Sequence, residues 1–381
     1  MIKRRSLLLV GGGSVLLVGG TGVWLGTRTS RQAREPWTRA GESFGDPRLD
    51  ALAYAVLAPN PHNMQPWQVR LEEGLEFSVY ANPERLLPET DPPARQITIG
   101  FGAFLELFRQ AAAEMGYQTE VEPFPEGEPF PLLDHRPVAR VSLKPEGAVA
   151  TDPLFPYAKR RRTVRAPFAT ESPVASELLE AVIKESVSGV HASYITDPAR
   201  IADLRELTKA AWEVEWNDSA ARRESVRVTR IGKAEVQKNP WGICLDGALL
   251  SALGAAGLVS RSEMDTPGST AFTEGLNGYS RACETAMAYL WSSTADNNRR
   301  DQLKAGASWV RLQQAATREG IAFHPLSQAL QEFPAMAEHY RRIHDMLAEP
   351  GHTVQMLVRV GYAKAPGPAP REPLSAKLLA V

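Results

Sequence analysis

Two helix-like segments of this chain carry the same pattern of small residues, and this repeat constrains the fold more than any other feature. The segment 102–116 contains Gly-Ala, then Gln-Ala-Ala and a closing Gly, and 306–320 has the same residues at the same spacing. Small residues on one face let two helices approach closely. The sequence therefore predicts two copies of one helical unit around a pseudo-twofold axis, as in a dimer fused into one chain. The alternative is a chance match between two alanine-rich helices.

The composition indicates a globular protein with a substantial core. The chain has 381 residues, 43% of them hydrophobic, which is enough for one large domain or two of ordinary size. Its formal net charge of -1 favours neither nucleic acid nor an anionic surface, so any anion site must be local. Cys244 and Cys283 are too few for a disulfide framework and lack metal-ligand spacing, and only the fold can decide whether they pair.

The first 30 residues indicate a targeting segment. The basic start 3–5 precedes an uncharged, glycine-rich apolar stretch from Ser6 to Gly26, which at roughly 20 residues is long enough to cross a bilayer. The adjacent arginines resemble the bacterial twin-arginine export signal. We therefore expect an exported protein, either periplasmic or anchored to the outer face of the inner membrane. The sequence leaves both cleavage of the segment and its retention as an anchor open.

The rest of the pattern divides into a linker and two halves of mixed structure, so the predicted fold class is α+β. The linker is expected at 31–45, the first half at 46–150 and the second half at 151–381, with a proline-rich boundary near 145–156. Residues 218–280 are polar and interrupted by glycines. In a compact enzyme such a segment is typical of a lid or an insertion over a site.

A rigid polar loop follows the first predicted helix, at residues 58–67, with the sequence Ala-Pro-Asn-Pro-His-Asn-Met-Gln-Pro-Trp. Its three prolines fix φ and push the residues before them toward extended geometry, so the loop loses little freedom when a ligand binds. Asn63 and Gln65 each offer a donor and an acceptor, which suits a flat heterocycle. Alternatively, the loop only connects a helix to a strand, and its amides satisfy neighbouring backbone groups.

The strongest candidate for an anion site is the basic run 159–165, which contains Arg161, Thr163 and Arg165. Guanidinium groups bind phosphate bidentately, and a hydroxyl adds another donor. A further positive group, Arg359, lies in an apolar strand-like stretch, where an unpaired buried charge is costly and requires a partner. The alternatives are a solvated basic run and an arginine that is paired with a structural carboxylate.

Other chemical classes find little support in the sequence. The chain has neither a Gly-x-Ser-x-Gly nucleophile elbow nor a Gly-x-x-x-x-Gly-Lys-Ser/Thr phosphate loop. Among its seven histidines, His339 and His344 are five positions apart and fall on different faces of a helix. We therefore expect neither a hydrolase nor a metal site.

Taken together, these motifs resemble those of the FMN-dependent nitroreductase family. The shared motifs are the Arg-Arg-Thr-x-Arg run, the Ala-Pro-x-x-x-Asn-x-Gln-Pro-Trp loop, the segment 320–326 and the closing strand 357–361. The resemblance extends from Asp46 to Leu379. In that family, two subunits build two flavin sites at their interface. Here the loop precedes the basic run, the reverse of the usual order, so the chain resembles the single-chain branch in which two nitroreductase-like halves mimic the dimer.

The resemblance implies mixed sheets flanked by helices and a composite FMN site. It assigns the FMN phosphate and ribityl chain to Arg161, Thr163 and Arg165, and it places Arg359 at the phosphate. Because the chain has one basic run, we expect one complete site instead of two.

At the other end of the cofactor, the resemblance assigns Asn63 and Gln65 to the edge of the ring or the ribityl chain. It places His324, Pro325 and Leu326 along the isoalloxazine. It names no catalytic residue, because the chemistry of hydride and electron transfer belongs to the flavin.

The expected function is an FMN-dependent oxidoreductase that reduces nitroaromatic or quinone-like acceptors in the cell envelope, with NAD(P)H as a candidate electron donor. The alternative is a non-catalytic flavin-binding protein, in which a lid formed by residues 218–280 bars NAD(P)H from the ring. In both cases we expect a monomeric pseudo-dimer that binds no nucleic acid and touches the membrane only through its N-terminal segment.

Overall fold

The computed structural model describes residues 30–146 and 149–380. Its α-helices are, in chain order, α1 (Glu35–Arg39), α2 (Pro47–Ala55), α3 (Arg95–Glu114), α4 (Ser176–Ile183), α5 (Pro198–Asn217), α6 (Ser219–Arg227), α7 (Gly232–Lys238), α8 (Ala248–Ala255), α9 (Arg261–Asp265), α10 (Thr270–Glu284), α11 (Arg299–Arg318) and α12 (Ala337–Leu347). Its strands are β1 (Trp67–Leu71), β2 (Glu76–Ala81), β3 (Tyr117–Pro123), β4 (Ala139–Pro145), β5 (His191–Ile195), β6 (Thr229–Ile231), β7 (Ile243–Leu245), β8 (Ala288–Thr294), β9 (Ala322–Pro325) and β10 (Thr353–Gly361).

Several helices begin at ordinary capping signals. The side chains of Asp46, Asp197 and Asn298 accept hydrogen bonds from backbone N–H groups in the first turns of α2, α5 and α11. Pro47 and Pro198 occupy the first helical positions, where no intrahelical donor is needed. These local signals explain why the ends of the helices follow from the sequence.

Two four-stranded antiparallel sheets, one in each half of the chain, have the same topology. The first is ordered β1-β2-β4-β3 and the second β5-β8-β10-β9. In each sheet a 20-residue helix, α3 or α11, connects the second strand along the chain to the third. The predicted α+β class is confirmed, and so is the expectation of mixed elements repeated in two halves.

The two repeated helices pack directly on each other at their glycines. A Cβ atom on Gly102 would lie 1.9 Å from the carbonyl oxygen of Leu303, and one on Gly306 would lie 1.9 Å from that of Ile99. Farther along, the side-chain amides of Gln110 and Gln314 donate to each other at 3.0 and 2.7 Å. The predicted close approach of the repeated segments is confirmed, and the contacts are reciprocal, as a twofold relation requires.

A second reciprocal pair lies at the first residues of α3 and α11, Arg95 and Arg299. Arg95 belongs to the first half and donates to the carbonyl oxygen of Gln355 in the second half. Arg299 belongs to the second half and donates to the carbonyl oxygens of Pro129 and Pro131 in the first. Both guanidinium groups are buried, so each central helix binds the opposite half of the molecule.

The chain crosses between the halves again near its C-terminus, where Leu378 forms a parallel bridge with Val69 of β1. Within the second half, Thr163 forms a parallel bridge with Phe323 of β9. One apolar core extends over both halves, from Trp67 and the β1–β2 sheet through α3 and α11 to β10. The halves therefore form one packed body.

The halves differ most in the connection between their first two strands. In the first half, β1 and β2 form a hairpin, whereas residues 196–287 in the second half insert six helices, α5 to α10, and the parallel pair β6–β7. The predicted lid at 218–280 falls within this insertion. Cys244 and Cys283 both belong to it, and both are free thiols.

The predicted export or anchor segment lies almost wholly in residues 1–29, outside the described residues. Within the described residues, none of the helices combines the length and the apolar character that a bilayer span requires.

Candidate functional site

The structure brings the basic run, His324 and Arg359 together at the edge of the second sheet. The backbone N–H of Val164 donates to the carbonyl oxygen of Phe323 at 3.0 Å, which fixes the run beside β9. Arg359 of β10 then donates to the carbonyl oxygen of Ala166 at 2.8 Å and to Nδ1 of His324 at 2.8 Å. The segment predicted to bind phosphate is thus held against the strands that carry the other predicted residues.

Arg359 is completely buried and binds neutral acceptors. Besides His324 and the backbone of the basic run, it contacts the hydroxyl of Thr285 at 3.3 Å and lies 3.8 Å from the centre of the Phe168 ring. Burial lowers its pKa to about 10, so it stays cationic at neutral pH. In the described part of the chain no carboxylate forms an ion pair with it, so its charge is uncompensated at this point.

His324 is also buried, and its ring is neutral. Because Nδ1 accepts the hydrogen bond from Arg359, the proton of the neutral ring lies on Nε2. Burial first, and then the charges of Arg359 and Arg165, lower the pKa of His324 well below its usual value. The neighbouring Pro325 is half-buried and Leu326 is buried. The role of these three residues toward a flavin stays a prediction.

Arg161 turns inward, toward the first half of the molecule. Its guanidinium donates to the carbonyl oxygen of Leu57 and, at 3.2 Å, to the amide oxygen of Gln313, while Nε is buried without a partner. Gln313 also donates to the hydroxyl of Thr163 at 3.4 Å. Burial, followed by repulsion from Arg371 and Arg162, lowers the pKa of Arg161 well below its usual value.

Three guanidinium groups surround one indole ring. Arg161, Arg162 and Arg371 lie 5.5, 4.9 and 5.5 Å from the ring centre of Trp37. Cation–π contact offsets part of the cost of burying these charges. Among the described residues none of the three has a carboxylate partner, so this cluster concentrates positive charge.

Arg165 differs from Arg161 and Arg359 because its side chain is exposed. Its positive charge nevertheless acts on two histidines. Burial is the main cause that lowers the pKa of His62 to about 4, and the charge of Arg165 is the second cause. The same charge also contributes to the lowered pKa of His324. The exposed cation is therefore close enough to both histidines to act on them electrostatically.

The two predicted ring-binding amides are paired with the protein itself. Asn63 accepts from Arg371 at 2.5 Å and donates to the carbonyl oxygen of Pro370 at 3.1 Å. Gln65 donates to the carbonyl oxygen of Pro240 at 2.9 Å and accepts from the backbone N–H of Glu372 at 2.9 Å. These partners lie in other segments of the chain and not in the loop's own backbone, and a ligand that used these amides would have to displace them.

The loop itself has strained backbone geometry. The φ values of His62, Asn63 and Gln65 are 48°, 56° and 50°. These values lie in the left-handed region, which residues other than glycine rarely adopt. Each such residue costs about 1–3 kcal/mol and persists only where its surroundings fix it. The hydrogen bonds of the two amides supply that fixation, and strain of this kind clusters at functional sites.

A polar network that the sequence did not reveal joins the insertion to this loop. Nε2 of His62 lies 2.8 Å from the hydroxyl of Ser225, which donates to Glu215 at 3.5 Å. Gln331 donates to the other carboxylate oxygen of Glu215 at 3.0 Å. Burial raises the pKa of Glu215 to about 7, although its hydrogen bonds oppose this shift. No motif signals the network, because its members are distant along the chain.

Tyr279 of α10 covers His324 from the insertion side. The two rings meet edge to face with centres 5.4 Å apart, and the tyrosine hydroxyl donates to Gln328 at 3.1 Å. On its other side Tyr279 packs on Trp212, whose ring centre is 4.5 Å away. The insertion therefore packs the aromatic ring of Tyr279, backed by that of Trp212, next to His324, one of the residues predicted to contact the flavin.

A cavity of about 660 Å³ lies on the other side of the loop, between α2, the segment near α1 and the C-terminal tail. None of the nine predicted site residues lines it. Its lining combines apolar and polar side chains and includes one buried arginine of the Trp37 cluster; representative lining residues are Ala33, Phe44, Val56, Glu35, Arg39 and Arg371.

Comparison with known proteins gives similarity over most of the chain. No family model matches. "Putative NAD(P)H nitroreductase acg" of Mycobacterium tuberculosis is 29% identical over 334 residues, which cover 85% of this chain and 92% of that protein. A second protein of that organism with the same descriptive name, Rv3131, is 24% identical over 340 residues, 85% of this chain and 88% of that protein. The chain is therefore similar, over most of its length, to proteins described as NAD(P)H nitroreductases.

Solved structures were also found. The FMN-dependent nitroreductase NfnB of Mycobacterium smegmatis, crystallised in complex with NADPH, is 22% identical, with a TM-score of 0.35 over 58% of this chain and 94% of that chain. A nitroreductase of Bacteroides fragilis, crystallised with bound FMN, is 14% identical, with a TM-score of 0.34 over 56% of this chain and 90% of that chain.

Proposed function

We propose that this protein is a nitroreductase-like oxidoreductase that binds FMN where its two halves meet and reduces nitroaromatic or quinone-like acceptors with electrons from NAD(P)H. The observation that carries the proposal is the buried charge of Arg161 and Arg359. Arg161 donates to Leu57 of the first half and Arg359 holds the basic run within the second half, and among the described residues both bind only neutral groups. A buried positive charge of this kind is stabilised by an anionic ligand such as a phosphate.

The available donors fit the phosphate end of FMN better than the ring end. Arg161 has an unpartnered buried Nε, and the exposed guanidinium of Arg165 can reach a ligand without breaking a packed contact. The hydroxyl of Thr163 adds a further donor. By contrast, the amides of Asn63 and Gln65 already have partners.

Bound FMN would supply hydride and electron transfer, and the chain would supply position and shielding. The cationic groups would hold the phosphate. The strand around His324 would lie along the ring, with the neutral imidazole kept in one tautomer by Arg359. Tyr279 and the insertion would exclude water from that face.

We also propose the arrangement of the chain. Residues 46–150 and 151–381 would be two nitroreductase-like subunits joined in one monomeric chain, with a single flavin site because one half carries the basic run. The twin-arginine-like start would direct export to the periplasm or to the outer face of the inner membrane. The support for that location is the sequence of residues 3–26.

The decisive experiment is purification of the full chain, followed by addition of FMN and a turnover assay. We expect flavin absorption bands that stay with the protein on gel filtration. We also expect oxidation of NAD(P)H in the presence of a nitroaromatic compound or a quinone, at an ordinary enzyme rate of about 1–1,000 s⁻¹. A protein that stays colourless with excess FMN would exclude the proposal.

A second candidate function, a flavin-binding protein without turnover, is favoured by the insertion. Ser225 binds His62, and Tyr279 covers His324, so α6 and α10 close the site from one side. In that case anaerobic NAD(P)H would not bleach the bound flavin. The variant Ser225→Ala, which loosens the insertion, would then be reduced faster than the wild type. Equal and rapid bleaching of both proteins would exclude this candidate.

A further inference from the structure

The helix α8 exposes an apolar face. Its exposed positions follow helical spacing and lie on one side: Ala248, Leu249, Ala252 and Ala255. Leu249 is 65% exposed, and Leu258, just beyond the helix, is 58% exposed. From 247 to 260 the chain contains no charged residue. A helix on the surface of a soluble protein normally directs charged and polar residues toward the solvent and apolar residues toward the core.

The opposite side of α8 is fixed against the insertion. A Cβ atom on Gly254 would lie 2.8 Å from a methyl group of Ile231, and the hydroxyl of Ser251 accepts from the backbone N–H of Lys233 at 3.3 Å. This packing determines the orientation of the helix, so Leu249 on its outer side cannot turn inward. Exposed apolar patches with a fixed orientation typically mark interaction sites.

The N-terminal part of the chain enters the described structure beside this helix. Ser30 donates to Asp246 at 3.1 Å, and Arg34 forms an ion pair with the same carboxylate at 2.9 Å. Asp246 lies two positions before the start of α8. Upstream, the uncharged apolar stretch ends at Gly26, so about 14 Å of extended chain at most separates it from Ser30.

We propose that the exposed face of α8 is a membrane-contact surface. It lies in the interfacial layer of a bilayer, the same bilayer that the apolar N-terminal stretch enters. The short tether holds α8 close to that bilayer, and the uncharged leucine-bearing face suits the boundary between headgroups and acyl chains. The occupant of this surface is therefore lipid. The inference rests on the proposed membrane location and is independent of FMN.

The test uses the full chain in vesicles of phosphatidylethanolamine and phosphatidylglycerol. A nitroxide is attached to Leu249→Cys, and its collision rates with oxygen, which enriches in lipid, and with a water-soluble nickel complex are measured by EPR. We expect a ratio of oxygen to nickel accessibility several-fold higher than at the control position Phe130→Cys. Phe130 is 89% exposed and lies between β3 and β4 of the first half.

Two other results would overturn the proposal. High nickel accessibility at position 249 would place the face in water. Low accessibility to both reagents would show that protein covers it, either the N-terminal stretch itself or a second copy of the chain. The unmutated chain, carried through the same labelling, measures the background from Cys244 and Cys283, and Leu258→Cys repeats the test at a second exposed position. Flavin content is measured in parallel, so a failure here is distinguishable from a failure to bind FMN.

Discussion

The arginines at the junction divide into a buried and an exposed set, and this division decides which can be tested cleanly. Arg161 supports the packing of the halves because it binds the carbonyl oxygen of Leu57, and Arg359 fixes the basic run within the second half because it binds that of Ala166. Removing a buried cation leaves those acceptors unpaired, which by itself costs about 1–3 kcal/mol for each acceptor. Loss of FMN from such variants would therefore have two explanations, whereas Arg165 is exposed and avoids this ambiguity.

We predict that Arg165→Ala weakens FMN binding while leaving stability unchanged. A charge-assisted hydrogen bond contributes about 1.5–3 kcal/mol, which corresponds to roughly a 10- to 150-fold increase in Kd. The measurement is titration of flavin fluorescence, with thermal unfolding of the flavin-free proteins alongside. The matched control is Arg160→Ala, another exposed arginine of the run, whose guanidinium lies 5.1 Å from the Tyr157 ring centre. Equal affinities in both variants and the wild type would remove Arg165 from the site.

Asn63→Ala separates the two interpretations of the loop. In the structure Asn63 accepts from Arg371, so truncation leaves a buried charged donor unsatisfied, at a cost of about 1–3 kcal/mol. We therefore predict a lower free energy of unfolding of the flavin-free protein, measured in urea. If the unfolding of the flavin-free protein is unchanged and only FMN affinity falls, the amide serves the ligand instead of the C-terminal tail.

At the scale of elements, the insertion is fastened to the first half by two adjacent residues of α6. Glu224 accepts from the backbone N–H groups of Glu89 and Thr90 at 3.1 and 2.9 Å, and Ser225 binds His62 at 2.8 Å. Behind them, the carboxyl of Glu215 is buried against the same network. The protonation of that carboxyl therefore affects how firmly the insertion is held.

We predict that Glu215→Gln stabilises the protein at alkaline pH. The pKa of Glu215 is raised from 4.5 to about 7 by burial, so its contribution to stability is fully present below pH 4.5 and is lost as pH rises through 7. That loss is about 3 kcal/mol. Glutamine stays neutral, so the variant should unfold at higher denaturant than the wild type at pH 8, with the difference shrinking toward pH 5. A difference that is independent of pH would contradict the buried-carboxyl explanation.

The central helix pair gives a prediction about close packing. In Gly306→Ala the new methyl group would meet the backbone of Ile99, which cannot move without separating the halves. We expect a loss of at least about 3 kcal/mol in the free energy of unfolding, because overpacking at a backbone contact has no low-energy relief. The matched control is Gly278→Ala in α10, where the nearest atom to a Cβ is 3.8 Å away. The control should be neutral or stabilising by about 0.5–1 kcal/mol.

The contrast between these elements shows what the sequence could predict. The glycine repeat at 102 and 306 is a local pattern with a direct steric meaning, so both the helices and their close contact followed from it. The basic run and Arg359 were also recognisable, because cations in ordered or apolar segments require partners. The partners themselves were not predictable. Asn63 binds Arg371, and His62 binds Ser225, across hundreds of positions that carry no periodic signal.

For the whole molecule, the two halves share a strand order but differ in their insertions and in their charged segments. Reciprocal contacts of the arginines at 95 and 299 and of the glutamines at 110 and 314 relate them by a pseudo-twofold axis. The basic run, held beside β9, and the insertion 196–287, whose Tyr279 packs on His324 of β9, break this symmetry.

This asymmetry predicts the stoichiometry of the holoprotein. The internal helix pair already occupies the surface that two subunits would share, so the chain should be a monomer of 41.7 kDa with one FMN. Light scattering after gel filtration in detergent, corrected for the micelle, measures the mass of the protein, and released flavin per chain measures occupancy. Two flavins per chain would show that the first half completes a second site despite its lack of a basic run. That value would refute the proposed single site. One flavin per two chains would show instead that the site is shared between copies, and it would refute the fused-dimer arrangement.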